Sequence, residues 1–297
     1  MKTIDLFCGV GGLSLGFEKA GFDIVAAYDY WNKAIDIYND NLKHRGYVVD
    51  LSNIEKIVNI IKKYDFECII GGPPCQDFSS AGKRAEKTNA KLTVCFAKVV
   101  VAARPKLFIM ENVACVRLSS SYNEARKIFK DSGYGITEIV LDASYCNVPQ
   151  KRKRFFCIGS LDKNDNYFHE KLTKRLSDKP LTVSQYFQNN DIYIDTEFYY
   201  RHPRNYIRRS IFSIHEPSPT IRGVNRPIPP NYKRNNLDIA DIKQARPLTT
   251  IERSLIQTFP KNWKWDGTKT EIEQMIGNAV PVNLSKYIAN IIRENYE

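Results

Sequence analysis

Short apolar segments alternate with segments of helical period through the first 160 residues of the chain. Strands are predicted at residues 3–7, 24–28, 47–49, 67–70, 107–110, 136–141 and 154–158. Helical periodicity marks residues 13–20, 32–43, 53–63, 94–103 and 124–131. Strands that alternate with helices predict an α/β fold built on a doubly wound, mostly parallel sheet.

The pattern changes after residue 160. Residues 176–245 are rich in Pro, Asn, Arg and Tyr and show little helical periodicity, whereas residues 283–292 return to an amphipathic helix. A chain of 297 residues can bury a sizeable core. We therefore expect one large domain and one smaller, irregular domain.

Positive charge is concentrated in the second half of the chain. Residues 1–149 hold 19 Lys and Arg against 17 Asp and Glu, whereas residues 150–297 hold 25 against 16. This asymmetry favours a nucleic acid as the partner of the second half, because clustered basic residues bind phosphates. Ordinary solubility charge is the alternative.

Composition excludes several other classes of protein. No apolar run approaches a membrane span, and the first strand begins at residue 3, which leaves no room for a signal peptide. The seven cysteines include no Cys-x-x-Cys pair, and with four scattered histidines they indicate neither a zinc site nor a disulfide framework. No metal is expected, and an odd number of cysteines suits a reducing cytoplasm.

Cys75 is the candidate nucleophile. It follows a short apolar strand, Gly71-Gly72 and two prolines. The prolines fix two φ angles and hold the thiol in one direction at the carboxyl end of a strand, where open α/β sheets place their chemistry. A small buried hydrophobe is the alternative for a cysteine, but the flanking prolines and polar residues favour an activated nucleophile.

A glycine turn follows the first strand, at residues 9–12. Glycines let a ligand approach the backbone and expose amides at a helix amino terminus. The next strand ends at Asp29, about 20 residues on, the spacing at which a carboxylate reaches a ribose. The order Gly-x-Gly-Gly argues against a dinucleotide. A turn that only closes a helix onto a strand is the alternative.

Six blocks of this chain resemble the signature blocks of cytosine-5 DNA methyltransferases, in the order that the family has them. They are residues 5–12 (DLFCGVGG), 71–79 (GGPPCQDFS), 111–113 (ENV), 150–154 (QKRKR), 246–252 (RPLTTIE) and 277–281 (GNAVP). The resemblance runs from residue 3 to residue 292. One block departs: the family usually has Arg-Gly-x-Leu where this chain has Asn89-Ala90-Lys91-Leu92.

The resemblance implies catalytic roles for Cys75, Glu111, Arg152 and Arg154. The Cys75 thiolate would add to carbon 6 of cytosine and make carbon 5 nucleophilic. Glu111 ends an apolar strand, where desolvation would raise its pKa, and a protonated or proton-sharing Glu111 would bond ring nitrogen 3. Arg154 would contact the base carbonyl, with Arg152 supporting it. A solvated acid and a solvated basic edge strand are the alternatives.

The implied cofactor is S-adenosyl-L-methionine, held in a Rossmann-like, methyltransferase-type domain. Phe7 would stack near the adenine, Asp29 would accept the ribose hydroxyls, and Asp50 would contact the adenine amino group. The full set of implied cofactor residues is Phe7, Val10, Gly11, Gly12, Asp29, Tyr30, Asp50, Leu51, Pro74, Leu92 and Asn278.

The implied substrate is double-stranded DNA with its target cytosine flipped out of the stack. Polar, basic residues 82–91 are expected to form a loop that closes over the DNA, with a surface loop of no function as the alternative. The DNA-binding candidates are Lys83, Arg84, Arg201, Arg204, Arg208, Arg209, Arg222 and Arg226. Arg222 and Arg226 are expected to read guanines of a short G·C-rich site, although phosphate contact is the alternative for any one arginine.

The resemblance also implies a division into domains and a biological context. Residues 1–175, completed by 271–297, would form the catalytic and cofactor-binding domain, and residues 176–270 the target-recognition domain. We expect a monomeric, cytoplasmic, nucleoid-associated prokaryotic DNA (cytosine-5-)-methyltransferase that modifies host DNA in a restriction–modification system with a partner endonuclease. Two alternatives stay open: a transfer-RNA cytosine methyltransferase on the same scaffold, and a non-catalytic DNA-binding module.

Overall fold

The computed structural model describes residues 1–74, 86–203 and 208–296, and only the backbone of residues 86–91. Contacts within the chain divide it into two compact units. Unit 1 comprises Met1–Leu141, Lys153–Leu176 and Ser285–Glu297, and unit 2 comprises Asp142–Arg152 and Ser177–Leu284.

A seven-stranded sheet forms the centre of unit 1. The strands are β1 (Lys2–Leu6), β2 (Asp23–Asp29), β3 (Gly46–Val48), β4 (Cys68–Gly71), β5 (Leu107–Val113), β6 (Gly135–Asp142) and, after the short strand β7 (Gln150–Lys151) of unit 2, β8 (Lys153–Ser160). Their order is β3-β2-β1-β4-β5-β8-β6. Strands β1 to β5 pair in parallel and β8 runs antiparallel to β5. The α/β, mostly parallel fold predicted from the sequence is confirmed.

Helices of unit 1 connect and cover these strands. They are α1 (Gly12–Lys19), α2 (Asn32–Asn41), α3 (Ile54–Ile61), α4 (Glu86–Ala103), α5 (Ser120–Asp131) and α6 (His169–Thr173). Strands β4 and β5 are buried almost throughout, which explains why they read as continuous apolar runs rather than as alternating patterns. Their side chains join Ile4, Leu6 and the helix residues Ile57, Phe96 and Phe129 in one hydrophobic core.

Two helices begin earlier than the sequence pattern predicts. Residues 86–91, which we predicted to belong to a loop, form the start of α4, so that prediction was wrong for this part. Glu, Lys and Ala are good helix formers, and a polar composition therefore does not by itself indicate a loop. Helix α5 begins before residue 124 because the Ser119 side chain accepts a hydrogen bond from the Tyr122 amide and caps it.

Unit 2 has short elements and a core of its own. Its elements are α7 (Val183–Asn189), β9 (Phe198–Tyr200), β10 (Ile211–Ser213), β11 (Ser218–Pro219), β12 (Ala245–Pro247), α8 (Thr250–Ile256) and α9 (Lys269–Asn278), and the chain ends with α10 (Val282–Tyr296). Strands β10, β9 and β12 form a small sheet, and β11 pairs with β7. Helices α7, α8 and α9 each begin with a capping box, which stabilises short helices in an irregular domain.

The two units differ from the predicted domains at two segments. Residues 142–152 and 271–284 group with unit 2, whereas the sequence placed both in the larger domain. Arg152 shows why: its guanidinium donates to the carbonyl oxygens of Ile221, Gly277 and Ala279. These contacts join residues that are far apart in the chain, so no local sequence pattern predicts them.

Candidate active site

The turn between β1 and α1 has a backbone that few residue types adopt. Gly11, the N-cap of α1, has a φ of 89°, and a Cβ there would lie 2.6 Å from Leu42 Cδ1 and 3.0 Å from Tyr38 Cδ2. Phe7 has a φ of 62°, which is uncommon outside glycine and marks a constrained position. The turn presents the first amides of α1 next to the end of β1, which suits a ligand that approaches the backbone closely.

Asp29, the last residue of β2, lies beside this turn. Its Oδ2 accepts a hydrogen bond of 2.9 Å from the Gly9 amide, and its Oδ1 accepts one of 2.9 Å from the Trp31 amide. Burial raises the pKa of Asp29, and these hydrogen bonds oppose the rise. Backbone amides on both sides of Asp29 therefore fix its carboxylate beside the turn.

Five more of the predicted cofactor residues lie in the same unit, in the turn, after β3, after β4 and on α4. Gly12 is the first residue of α1. All five are buried or half-buried: Val10, Gly12, Leu51, Pro74 and Leu92. Apolar, partly enclosed surroundings of this kind suit a flat heterocycle or a thioether chain.

Three of the predicted cofactor residues are exposed. Tyr30 is 68% exposed. Asp50 is exposed, and its hydrogen bonds with Ser52 lower its pKa. Asn278 belongs to unit 2, where it ends α9 and accepts a hydrogen bond of 2.9 Å from Gln274 Nε2. Their predicted contacts with a cofactor stay predictions.

The segment that leads to Cys75 is tied to the end of β5. Asn112 Nδ2 donates a hydrogen bond of 2.9 Å to the Pro73 carbonyl. A Cβ at Gly72 would lie 3.2 Å from Glu111 Oε2, so the carboxyl group of Glu111 lies directly against this segment. The parallel pairing of β4 with β5 brings the two strand ends to the same edge of the sheet.

Glu111 and Arg154 form a buried ion pair. Arg154 Nε lies 2.9 Å from Glu111 Oε1, and their side chains are only 13% and 10% exposed. Antiparallel β8 makes this possible, because its register sets Arg154 opposite Val113. Burial lowers the pKa of Arg154, opposed by the charge of Glu111. An ion pair of this kind stabilises an ionised Glu111 and so disfavours the protonated form that the sequence suggested, whereas the sharing of a proton with a base stays a prediction.

The Arg152 side chain is buried rather than exposed to a ligand. It is 1% exposed, and its Nη1 and Nη2 donate to backbone carbonyls of unit 2 at 2.9–3.0 Å. The sequence suggested a supporting role for Arg152 beside Arg154. These hydrogen bonds are consistent with a role of Arg152 in holding the backbone of unit 2. They do not support a contact between Arg152 and a base.

Some predicted site residues lie outside the described residues. They are Cys75, Lys83, Arg84 and Arg204. Their assigned functions rest on sequence alone and stay predictions.

The other basic candidates lie in unit 2, and four of them line one cavity of ≈ 450 Å³: Arg201, Arg208, Arg209 and Arg222. Arg209 pairs with Glu216 at 2.5 Å and lies 4.3 Å above the Phe212 ring. Arg201 Nη2 donates to the Thr220 carbonyl at 3.0 Å. A concave surface lined by guanidinium groups suits an anionic partner such as a phosphodiester.

Sequence reasoning missed two buried polar clusters. The first joins Asp5, Ser14 and Tyr38 below the glycine turn, and its signal was a carboxyl group inside an otherwise apolar strand. The second is the Arg253–Glu273 ion pair of unit 2, at 2.6 Å with side-chain exposures of 6% and 3%. Its partners lie on different helices, so the sequence carries no local signal for it.

Within the described ranges, no helix is long and apolar enough to cross a membrane. The same ranges contain no group of three or more His, Cys, Asp or Glu side chains arranged to hold a metal ion.

A glycine turn and a fixed acidic residue at the carboxyl edge of a mostly parallel sheet are typical of α/β enzymes that bind nucleotide-like cofactors. Residues 1–294 match the family of C-5 cytosine-specific DNA methylases, and the chain belongs to that family. It is therefore a DNA (cytosine-5-)-methyltransferase.

Similar proteins support this assignment. The chain is 57% identical to the Type II methyltransferase M.HindV of Haemophilus influenzae, over 98% of this chain and 96% of that protein. It is 54% identical to the Type II methyltransferase M.HgiDI of Herpetosiphon aurantiacus, over 99% and 94%. The enzyme is thus of the type found in type II restriction–modification systems.

Solved structures show the same fold. The S. pombe Dnmt2 methyltransferase superposes with a TM-score of 0.72 at 17% identity, over 99% of this chain and 98% of that one. The Entamoeba histolytica methyltransferase EhMeth superposes with a TM-score of 0.68 at 18% identity, over 100% and 99%. The family and the close relatives support DNA rather than transfer RNA, and an enzyme rather than a non-catalytic module.

Proposed function

We propose that the enzyme methylates carbon 5 of a flipped-out cytosine after the Cys75 thiolate adds to carbon 6. The observation that carries this proposal is the Glu111–Arg154 ion pair, which lies against Gly72 in the segment leading to Cys75. A nucleophile on that segment would share one site with a buried acid and a buried guanidinium.

Glu111 and Arg154 would hold the edge of the base. In this structure Arg154 uses Nε toward Glu111 and Nη1 toward the Lys153 carbonyl. The remaining guanidinium hydrogens can donate to a base carbonyl while the ion pair persists. Glu111 Oε2, next to Gly72, would share a proton with ring nitrogen 3 and so stabilise the charge that thiolate addition creates.

The residues around the β1–α1 turn fit S-adenosyl-L-methionine. Asp29 would accept the ribose hydroxyls, the amides after Gly11 and Gly12 would bind the carboxylate end, and Phe7 would lie against the adenine. Two observations support the fit: the Gly11 position has no room for a side chain, and the buried acid Asp5 has an oxygen without a hydrogen-bond partner in the described ranges. When bound, this cofactor supplies an electrophilic methyl group on a sulfonium.

Unit 2 would bind the DNA through residues 220–226, a segment whose backbone is held in place by hydrogen bonds. Thr220 Oγ1 donates to the Lys151 carbonyl at 2.7 Å. The Ile221 amide donates to Gln150 Oε1 at 2.8 Å, and the Ile221 carbonyl accepts from Arg152 at 2.9 Å. Three successive hydrogen bonds from one neighbouring segment fix the beginning of segment 220–226.

Hydrogen bonds with Arg253 and Glu273 hold the rest of segment 220–226 in place. Arg253 Nη2 donates to the Arg222 carbonyl. Glu273 Oε1 accepts from Asn225 Nδ2 at 3.0 Å and from Thr250 Oγ1 at 2.8 Å. Because this backbone is already ordered, little conformational entropy is lost when a ligand binds, and this favours precise recognition.

The side chains of segment 220–226 divide into inward and outward ones. The Arg222 guanidinium donates to the His202 carbonyl, and Asn225 is bonded to Glu273 and to the Leu248 carbonyl. Val224 and Arg226 are exposed. We infer that Arg226 reads a guanine of a short G·C-rich site through its major-groove edge, and that Arg222 supports the segment.

The relatives also suggest a biological partner. M.HindV and M.HgiDI are named as type II methyltransferases. We infer that this enzyme protects host DNA from an endonuclease that cuts at the same site.

A tritium-transfer assay tests the proposed function. The purified chain is incubated with tritiated S-adenosylmethionine and either duplex DNA or transfer RNA. Label should appear in DNA cytosine at carbon 5, and Cys75→Ser should lower the rate by orders of magnitude. Equal labelling of transfer RNA, or full activity of Cys75→Ser, would contradict the proposal.

A further inference from the structure

Asp5 lies inside the protein with an unusual set of partners. It is 0% exposed on β1, and its Oδ2 accepts a hydrogen bond of 2.5 Å from Ser14 Oγ. Ser14 Oγ in turn accepts one of 2.8 Å from Tyr38 OH. Oδ1 is buried and has no hydrogen-bond partner among the described residues. A buried carboxyl group with one unsatisfied oxygen is costly when it is charged.

A second buried acid, Asp29, interacts electrostatically with Asp5. Asp29 raises the pKa of Asp5 through its charge, and its own Oδ2 is bonded to the amide of the glycine turn at Gly9. In the described ranges, no cation contributes to the environment of either acid. Two buried acids without a cation between them form a site that favours either a bound proton or a positively charged ligand.

The other titratable groups that face Asp5 are neutral near pH 7. They are Cys8 in the turn, Tyr38 on α2 and Cys68 on β4, and burial raises the pKa of each. Burial also raises the pKa of Asp5 to about 8, although the Ser14 hydrogen bond opposes this rise. Among these groups, Asp5 is therefore the one whose charge can change around neutral pH.

We propose that Asp5 holds a proton in the cofactor-free enzyme and releases it to solvent when the cationic cofactor binds beside Asp29. This inference rests on the proposed binding of S-adenosylmethionine at the β1–α1 turn. The sulfonium charge stabilises the ionised carboxylate across a medium of low dielectric constant. Ser14 then donates to a carboxylate rather than to a neutral acid, which strengthens that hydrogen bond.

The sign of the pH dependence follows from the proton balance. Below about pH 8 binding has to expel the Asp5 proton, so the association constant falls as the pH falls, by up to about tenfold per pH unit. Above about pH 8 the carboxyl group is already ionised and the affinity becomes flat. In the cofactor-free protein, a folded-state pKa above the unfolded value means that stability from this group decreases as the pH rises toward 8.

Calorimetry of the full chain with S-adenosylmethionine tests this inference. Titrations at about pH 7 in buffers of different ionisation enthalpy measure the number of protons released. We expect a release approaching one proton for the wild type, less with the uncharged thioether S-adenosylhomocysteine, and little for Asp5→Asn. The matched control Asp65→Asn removes an exposed carboxylate of the same unit and should behave as the wild type.

Two further measurements keep the test decisive if Asp5→Asn folds poorly. Ser14→Ala keeps the carboxyl group but removes the hydrogen bond that lowers its pKa, so the pH at which affinity becomes flat should rise. Without any cofactor, urea unfolding should show a loss of stability between about pH 5 and 8 that Ser14→Ala extends to higher pH.

The outcomes distinguish a failure of the proposed cofactor from a failure of the proposed proton release by Asp5. Absence of binding at every pH, with the stability profile retained, would overturn the proposed cofactor and leave the proton on Asp5 in place. Binding without proton release, equal release with both ligands, or undiminished release by Asp5→Asn would overturn the inference about Asp5 alone.

Discussion

The carboxylate of Glu111 and the guanidinium of Arg154 are joined at 2.9 Å across two antiparallel strands, with little solvent access to either. Arg154 is held at the site by strand pairing rather than by a loop, and Glu111 lies against the segment that carries the candidate nucleophile. This relationship links the sheet to the chemistry, since a strand slip of one residue would turn Arg154 to the other face.

Removing one partner of the Glu111–Arg154 pair should destabilise the protein more than replacing both partners. In Arg154→Met the buried carboxylate has lost its partner, and we expect the free energy of unfolding to fall by about 3–5 kcal/mol. The double variant Glu111→Gln with Arg154→Met should recover part of that loss. Urea denaturation of the wild type, both single variants and the double variant measures the coupling; strictly additive losses would show that the pair does not interact.

Asp29 should govern cofactor affinity. We expect Asp29→Ala to weaken S-adenosylmethionine binding by about 1–3 kcal/mol, because hydrogen bonds to a charged group are lost. Affinity for DNA measured without cofactor should change little. Asp65→Ala serves as the control, since Asp65 is an exposed partner of Lys2. Calorimetry that shows undiminished affinity would remove Asp29 from the cofactor site.

Arg226 and Arg222 should have different effects on DNA recognition. Arg226→Ala should relax discrimination at one base pair, at a cost of about 1–3 kcal/mol for the cognate site. Arg222→Ala should instead lower stability, because its guanidinium bonds the His202 carbonyl inside unit 2. Methylation of a randomised duplex library, together with thermal melts, measures both effects. A uniform loss across all sequences for Arg226→Ala would assign it to a phosphate.

Much of the fold was readable from the sequence. The strands predicted at residues 24–28 and 107–110 lie within β2 and β5, because buried parallel strands leave apolar runs of limited length. The start of α4 was missed, since Glu, Lys and Ala suit a helix as well as an exposed loop. The antiparallel direction of β8 was not visible either, because the sequence of a strand does not encode the direction of its neighbour.

The candidate site was readable only in part. Asp29, Glu111 and Arg154 were identified by their place at strand ends and by the resemblance. The inward orientation of Arg222 and Arg152 could not be read, because both guanidinium groups bond carbonyls distant in sequence. Asp5 stands out in the sequence as an acid inside an apolar strand, but its partners Ser14 and Tyr38 lie 9 and 33 residues away, so only the structure shows the cluster.

The proposed covalent adduct between Cys75 and the target cytosine can be trapped. A duplex that carries 5-fluorocytosine at the target position cannot lose the substituent at carbon 5, so the adduct with the enzyme should persist. Incubation with S-adenosylmethionine, proteolysis and mass spectrometry should locate the nucleotide on Cys75, and Cys75→Ser should give no adduct. An adduct on any of the other six cysteines, or no adduct from an enzyme that methylates normal duplex, would contradict the account.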